Sequence, residues 1–586
     1  MRDGQGSMFG KKSAKNLNSG TNSNKGNSAN GNSINERNAG KNSAAGAYSQ
    51  GSAAGEKLSL SVSARCGRLK FHKSGKFRIL QLADIQDGAD VSKDTINLIA
   101  AACDAAKPDI VVFTGDQIAG YASDYAATYR ARRWEGETET VARNVGIWVE
   151  NSLRAVSGAN DSSDLSESGS SSNNSASSVY LSSANSGSGN SGSVYLSSTE
   201  NSDEKQQNEK HSAEPEQISK TQISKNQTSK NPAEKKSFGM RKSRRKPTAS
   251  DFAQTRELVR KSISEFLAPI VERGIPFAVT HGNHDFQCGL SNAELEAIYR
   301  EFPGCLNPEA IAANPAAQRH VPASGMQAQT VYACEPGSFV LPVCDVDEKK
   351  NVIGIALVDS GDYAREGGYG VPDRQALDFL RAIPQLIGVK SILFQHIPMP
   401  QNYRLLRKVS HLTANAIQGY RAFDDGCYVL DEDVVQPGSY LGEGISCPDT
   451  DCGEFDILKE SDGYFAVFTG HDHRNGYVGT ADGIMLGTTP TCGFGSYGPV
   501  PSKRAVRLFE FDIRHPYEPR TQLLTFGRLV GKPKSAAAYT FAMSRIPVSK
   551  GEAVDLLRKP KVSVTLGTVA AAVVWLVSAI KGRKRK

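Results

Sequence analysis

The sequence predicts an α/β fold built on a mostly buried sheet. Two observations point there. Short apolar runs of strand length alternate with segments of helical period, and the runs end in polar clusters. Setting aside three compositionally biased stretches also leaves roughly 400 of the 586 residues, enough for a sizeable core.

Those stretches frame the chain. Residues 1–57 hold ten Asn and only two aromatics, Phe9 and Tyr48, and read as a disordered arm. Residues 157–250 form a low-complexity insertion, with 19 Ser between 157 and 200. VYLSS occurs there at 179–183 and again at 194–198, and a five-residue QISK-type repeat starts at Gln217. Neither repeat has a face to bury, so both read as linker. The domain therefore divides into a first part, 58–156, and a second, 251–550.

The elements follow in order. From 58 to 82 the pattern is strand-like and ends in FRILQLADIQDG. Residues 93–106 have helical period, Pro108 closes them, and 109–114 is an apolar run, giving a β–α–β unit. After the insertion a helix is expected over 252–273, then a strand over 276–280 and the loop HGNHDF. Further strands are expected at 352–359, 391–395, 465–469 and 505–511, with helices at 293–301 and 372–382.

Charge narrows the partners. The net charge is +7, but the arm carries eight Lys/Arg against three acids and 551–586 carries eight against two. The body between them is mildly acidic, so no nucleic-acid partner is expected. The ten cysteines include no CxxC pair. Cys447 and Cys452 flank a short turn and suit either a disulfide in an exported domain or two reduced thiols.

Five polar clusters stand where apolar strands stop: Asp84-Ile85-Gln86, Gly115-Asp116, Gly282-Asn283-His284-Asp285, Gln395-His396 and Gly470-His471-Asp472-His473. In an open α/β sheet such positions converge on one crevice. Alternation puts Asp84 and Gln86 on one face, and likewise His471 and His473. The donor set of carboxylates, amides and imidazoles suits a pair of Mn, Fe or Zn ions and not calcium.

In their order, the clusters resemble the calcineurin-like metallophosphoesterases, whose pattern is DxH…GDxx…GNH[DE]…H…GHxH. The match spans about residues 77–511 without the insertion. The stretches DSGDYAREGGYGVPDRQALDFL, FQHIPMPQNY and GFGSYG…KRAVRLFEF are similar to the purple-acid-phosphatase-like branch. The resemblance implies a two-sheet sandwich flanked by helices. It implies that Asp84 and His473 hold a first metal, with Gln86 where the pattern has histidine. Asp116 would bridge both ions, and Asn283, His396 and His471 would hold the second. His284 matches the histidine that contacts the phosphate and assists the leaving group. Ala119 stands where purple acid phosphatases place an iron-binding tyrosine, which argues against ferric charge-transfer chemistry.

The expected activity is hydrolysis of a phosphomonoester, on protein or small molecule, by a hydroxide bridging two divalent or mixed-valence ions, Mn or Fe ahead of Zn. The alternatives are a phosphodiesterase of the same superfamily and a metal-poor, membrane-tethered scaffold. The membrane enters through residues 562–580, 19 positions without a charge, followed by KGRKRK at 581–586. That length just suffices for a transmembrane helix. The basic tail favours a cell-surface catalytic domain; the lack of an apolar signal segment near the start favours a cytoplasmic one. Both placements stay open, as does the oligomeric state.

Overall fold

Six of the strand-length apolar runs become strands that are parallel to a neighbour, and each carries two sets of side chains to two different cores. In this computed structural model the described residues are 59–133, 245–308, 318–320, 326, 328–534 and scattered positions between 537 and 572. The arm expected at 1–57 and nearly all of the insertion expected at 157–250 lie outside them.

In chain order the strands are β1 (Lys76–Leu82), β2 (Ile110–Thr114), β3 (Phe277–Thr280), β4 (Gln318–His320), β5 (Thr330–Glu335), β6 (Ser338–Cys344), β7 (Asn351–Leu357) and β8 (Ser391–Phe394). There follow β9 (Leu406–Val409), β10 (Ile417–Gln418), β11 (Cys427–Leu430), β12 (Tyr464–Thr469), β13 (Val478–Ala481), β14 (Ile484–Thr488), β15 (Ala505–Asp512) and β16 (His515–Thr525). One sheet has the order β16-β15-β1-β2-β3 and a second the order β13-β14-β12-β8-β7-β6-β5-β4; β10-β11-β9 form a small third sheet. The β1–β2 and β2–β3 pairs are parallel, as are β7–β8, β8–β12 and β12–β14.

The two large sheets pack face to face. Phe77 and Ile79 of β1, Ile110 and Val112 of β2, Ile353 and Ile355 of β7, and Ile392 and Phe394 of β8 share one core between them. The alternate residues Leu80, Leu82, Val111 and Phe113 turn outward onto the helices Lys93–Ala106 and Ala249–Val271. On the far side, Ala356, Leu393 and Val467 meet the helices Arg374–Ile387 and Glu454–Glu460. The two-residue period of a strand thus builds a helix–sheet–sheet–helix sandwich. This is the two-sheet α/β fold that the resemblance implied.

Several expectations need correction. The stretch 58–82 is not strand throughout. Ser61 accepts a hydrogen bond from Ala64 N at 3.0 Å and caps a short helix, Val62–Cys66, before β1 begins. The helix expected to stop at 382 runs on to Ile387 through Pro384. The carbonyl that Pro384 cannot satisfy belongs to Leu380, and Tyr464 Oη donates to it at 2.7 Å, so the break is repaired from outside. Strands β4–β6, β9–β11, β13, β14 and β16 were not anticipated.

All ten cysteines are free thiols, Cys447 and Cys452 among them. The segment 562–580 falls largely outside the described residues. Among those described, no helix is long and apolar enough to cross a membrane.

Candidate metal centre at the strand ends

The C-terminal ends of β1, β2 and β3 from one sheet and of β8 and β12 from the other open into one crevice. Backbone bonds sew their loops together. Asp84 N donates to Gly115 O at 3.2 Å and Gln86 N to Asp116 O at 2.9 Å, joining the first two loops. Asp285 joins the third: its carboxylate accepts from Asp116 N and Gly282 N at 2.8 Å each and from Ile118 N at 2.9 Å. Gly115 has φ +87°, and a Cβ there would stand 2.6 Å from the His396 ring. A Cβ on Gly282 would overlap Asp116 Oδ1. Glycine is what lets these loops close to side-chain distance.

All eight predicted residues meet here. His396 Nε2 lies 3.1 Å from Asn283 Oδ1, 3.1 Å from His471 Nδ1 and 3.2 Å from Asp116 Oδ2. On the other side of the crevice, His473 Nε2 is 3.3 Å from Asp84 Oδ1. Gln86 Nε2 donates to Asp116 Oδ2 at 3.3 Å, so Asp116 stands between the two groups. His284 sits at the mouth, its Nε2 4.0 Å from Asp116 Oδ2, and its backbone N donates to Asp116 Oδ1 at 2.7 Å.

Neighbouring groups fix which atoms face inward. His396 Nδ1 donates to Thr114 O at 2.9 Å and His473 Nδ1 to Tyr497 O at 2.7 Å, leaving each Nε2 to the crevice. His284 Nδ1 donates to Gln287 Oε1 at 2.8 Å. Asn283 Nδ2 donates to the Tyr363 hydroxyl at 2.9 Å and turns its oxygen toward His396. The His471 ring meets Tyr369 edge to face at 4.3 Å, and the His473 ring stacks on Tyr497 at 4.1 Å.

The donor set fits metal ions on two counts. Asp84 Oδ1, Gln86 Oε1 and His471 Nε2 are buried with no hydrogen-bond partner, a state that costs free energy unless something else fills it. Potential ligand atoms of Asp116, His396 and His471 all lie within 4.8 Å of one another.

The backbone is also left-handed at Asp84 (φ 54°), Gln86 (φ 44°), Asp116 (φ 53°) and His471 (φ 71°), a conformation that stores strain in residues with a Cβ.

Electrostatics couple the same groups. Burial by itself would raise the Asp116 carboxyl, but the His396 and His284 imidazoles beside it hold it below the usual carboxylate range. Burial opposes charge on His396, yet Asp116 raises its imidazole above the ordinary histidine value. Burial and the neighbouring His396 push His471 well below that value.

Sequence reasoning did not single out Tyr363, Tyr369, Tyr497 or Gln287 as supports. The tyrosines lie inside the DSGDYAREGGYG and GFGSYG stretches, and Gln287 stands three residues past His284 in a short 3-10 turn, Asp285–Cys288. Spacing within GNHDFQ was the available signal for Gln287.

No family model matches the chain. It is 24% identical over 276 residues to a probable inactive purple acid phosphatase 14 of Arabidopsis thaliana, covering 44% of this chain and 59% of that protein. It is 24% identical over 272 residues to a probable inactive purple acid phosphatase 29 of the same plant, covering 43% and 60%. The chain thus spans about three-fifths of the length of these curated relatives. Among solved structures, a dimetal phosphatase from Danio rerio aligns over 77% of this chain and 99% of its own, at 9% identity and a TM-score of 0.30. The curated relatives are purple-acid-phosphatase-like, consistent with the calcineurin-like metallophosphoesterase superfamily.

Proposed function

We propose that the chain is a metal-dependent phosphoesterase that hydrolyses phosphomonoesters. In this reading Asp84, Gln86 and His473 hold one ion, Asn283, His396 and His471 hold another, and Asp116 serves both. The observation that carries it is the convergence of Asn283, His471 and Asp116 on His396 Nε2 within 3.2 Å. Mn or Fe suits the oxygen-rich donors best. When bound, such ions supply an activated water and offset the negative charge of the phosphate.

The chain's own residues do the rest. Thr114 O and Tyr497 O lock the tautomers of His396 and His473, so neither ring must reorganise. Singly protonated His284 carries its proton on Nδ1, toward Gln287, and presents a lone pair at Nε2. It can release a proton to a leaving oxygen only after Nε2 has been protonated. Burial pushes the His284 imidazole below its ordinary value, and the nearby Asp116 carboxylate works against that shift. Residues 562–580, uncharged and followed by five bases in six positions, would tether the enzyme to a membrane.

A metal-poor scaffold is the second reading, and one observation favours it: the Gln86 N–H donates to Asp116, the carboxylate that would serve both ions. Elemental analysis of the purified full chain, coupled to a phosphoester panel, separates the two. Bound metal with turnover of 4-nitrophenyl phosphate is expected. Protein with neither metal nor turnover after supplementation with Mn would establish the scaffold.

A further inference from the structure

Beside the ligand cluster stand two consecutive arginines with different commitments. Arg133 is spent on carboxylates: Nη1 and Nη2 each lie 3.2 Å from Asp359 Oδ2, and Nε lies 2.6 Å from Asp362 Oδ2. Arg132 forms no ion pair with any carboxylate among the described residues. Its Nη1 bonds back to the adjacent Ala131 O at 2.9 Å, and its guanidinium lies 3.9 Å above the ring of Tyr363.

That ring places Arg132 at the site. The Tyr363 hydroxyl accepts from Asn283 Nδ2, and the ring stands 6.4 Å from that of His284, centroid to centroid. Stacking on an aromatic face fixes a guanidinium while leaving the N–H donors along its edge free. Arg132 is half-buried, so those donors are partly desolvated. An arginine held in this way, one ring from Asn283 and in no ion pair among the described residues, is placed to take up an anion.

We infer that Arg132 binds the phosphate of the substrate and selects doubly charged monoesters over singly charged diesters. The inference rests on the phosphoesterase reading and deepens it. A monoester has three non-bridging oxygens and a diester two. If two oxygens turn toward the ligand cluster, only the monoester keeps one for Arg132. The monoester also brings the larger charge to the guanidinium.

The test uses the full chain supplemented with Mn, comparing wild type with Arg132→Met and Arg132→Lys. Two quantities are measured: the affinity for inorganic phosphate by calorimetry, and KM for 4-nitrophenyl phosphate and its bis ester. Arg132→Met is expected to weaken phosphate binding and raise the monoester KM by about tenfold, the usual scale for one lost charge-assisted hydrogen bond. The diester should suffer less, so the monoester preference falls. Arg132→Lys should recover only part of the loss, because it lacks the fork and the stacking plane. Unchanged phosphate affinity and monoester KM in a folded Arg132→Met protein would overturn the assignment, as would equal losses on both esters. If wild type turns over no ester yet loses phosphate affinity on Arg132→Met, Arg132 remains the phosphate contact and the catalytic reading falls alone.

Discussion

The Gln86 amide donates from Nε2 to Asp116 Oδ2 at 3.3 Å, while its own oxygen is buried with no partner. The side chain thus presents a donor to the carboxylate that would join the two ions. An imidazole at this position would present a lone pair to a cation instead. Gln86→His is therefore expected to tighten retention of the first ion, by at least about tenfold. Metal content after dialysis against a chelator measures it. Wild-type protein that keeps two ions through prolonged chelation would show that Gln86 is no weak point.

Asp285 holds three loops with one carboxylate. Replacing it by alanine strands the N–H groups of Asp116, Gly282 and Ile118 in a buried setting. Asp285→Ala should cost about 3 kcal/mol or more, since each orphaned donor carries a desolvation penalty. It should also lower metal content. Denaturant unfolding checks the first effect and elemental analysis the second. A variant as stable as wild type would mean that the loops hold their shape without this anchor.

Glu454 supplies a pH dependence outside the predicted ligand set. Burial raises its carboxyl to about 8, with the Gln395 amide, 3.4 Å away, working weakly against it. The folded state thus holds this proton more tightly than the unfolded chain does. Its contribution to stability is fully present below about pH 4.5 and declines as pH rises toward 8. Glu454→Gln should match wild type near pH 4.5 and be more stable by about 4 kcal/mol near pH 8. Thermal melts across that range read it out. An unchanged difference between the two pH values would show that Glu454 is already ionised in the fold.

The insertion contributes none of the predicted ligands. Replacing residues 157–244 with a short Gly/Ser linker should leave turnover within about twofold of wild type, because loop length enters closure entropy only logarithmically. Steady-state assays of the shortened chain test this. A folded but inactive product would give the insertion a part in shaping the crevice.

Much of this is legible in the sequence itself. Apolar runs ending in Asp84, Asp116, Asn283, His396 and His471 marked the strands and their C-terminal ends, because burial on both faces leaves an unmistakable run. The helix 93–106 was delimited by its period and by Pro108. Strand β5 was missed because TVYACE mixes Thr, Tyr, Cys and Glu with few aliphatics, and β6 because Pro342 interrupts its apolar run. The helix was expected to end at 382, and nothing local shows that Tyr464 will take up the Leu380 carbonyl beyond it. Nor does sequence announce left-handed backbone at Asp84 or His471. That conformation is imposed by loops that meet only when the sheets do. Tyr363 and Arg132 escaped notice for the same reason: their value lies in what they touch.

The two sheets and the crevice draw on both ends of the chain. Arg78 pairs with Glu510 across 432 positions, and His471 N donates to Asp84 Oδ2 across 387. A growing polypeptide on the ribosome therefore carries Asp84 and Asp116 long before their counterparts exist. At roughly 5–20 residues per second, the wait between residue 84 and residue 473 is on the order of 20–80 s. During that time the nascent chain has neither a closed first sheet nor a complete ligand set. Any metal that the cluster takes up would accordingly enter only after residue 473 has been made.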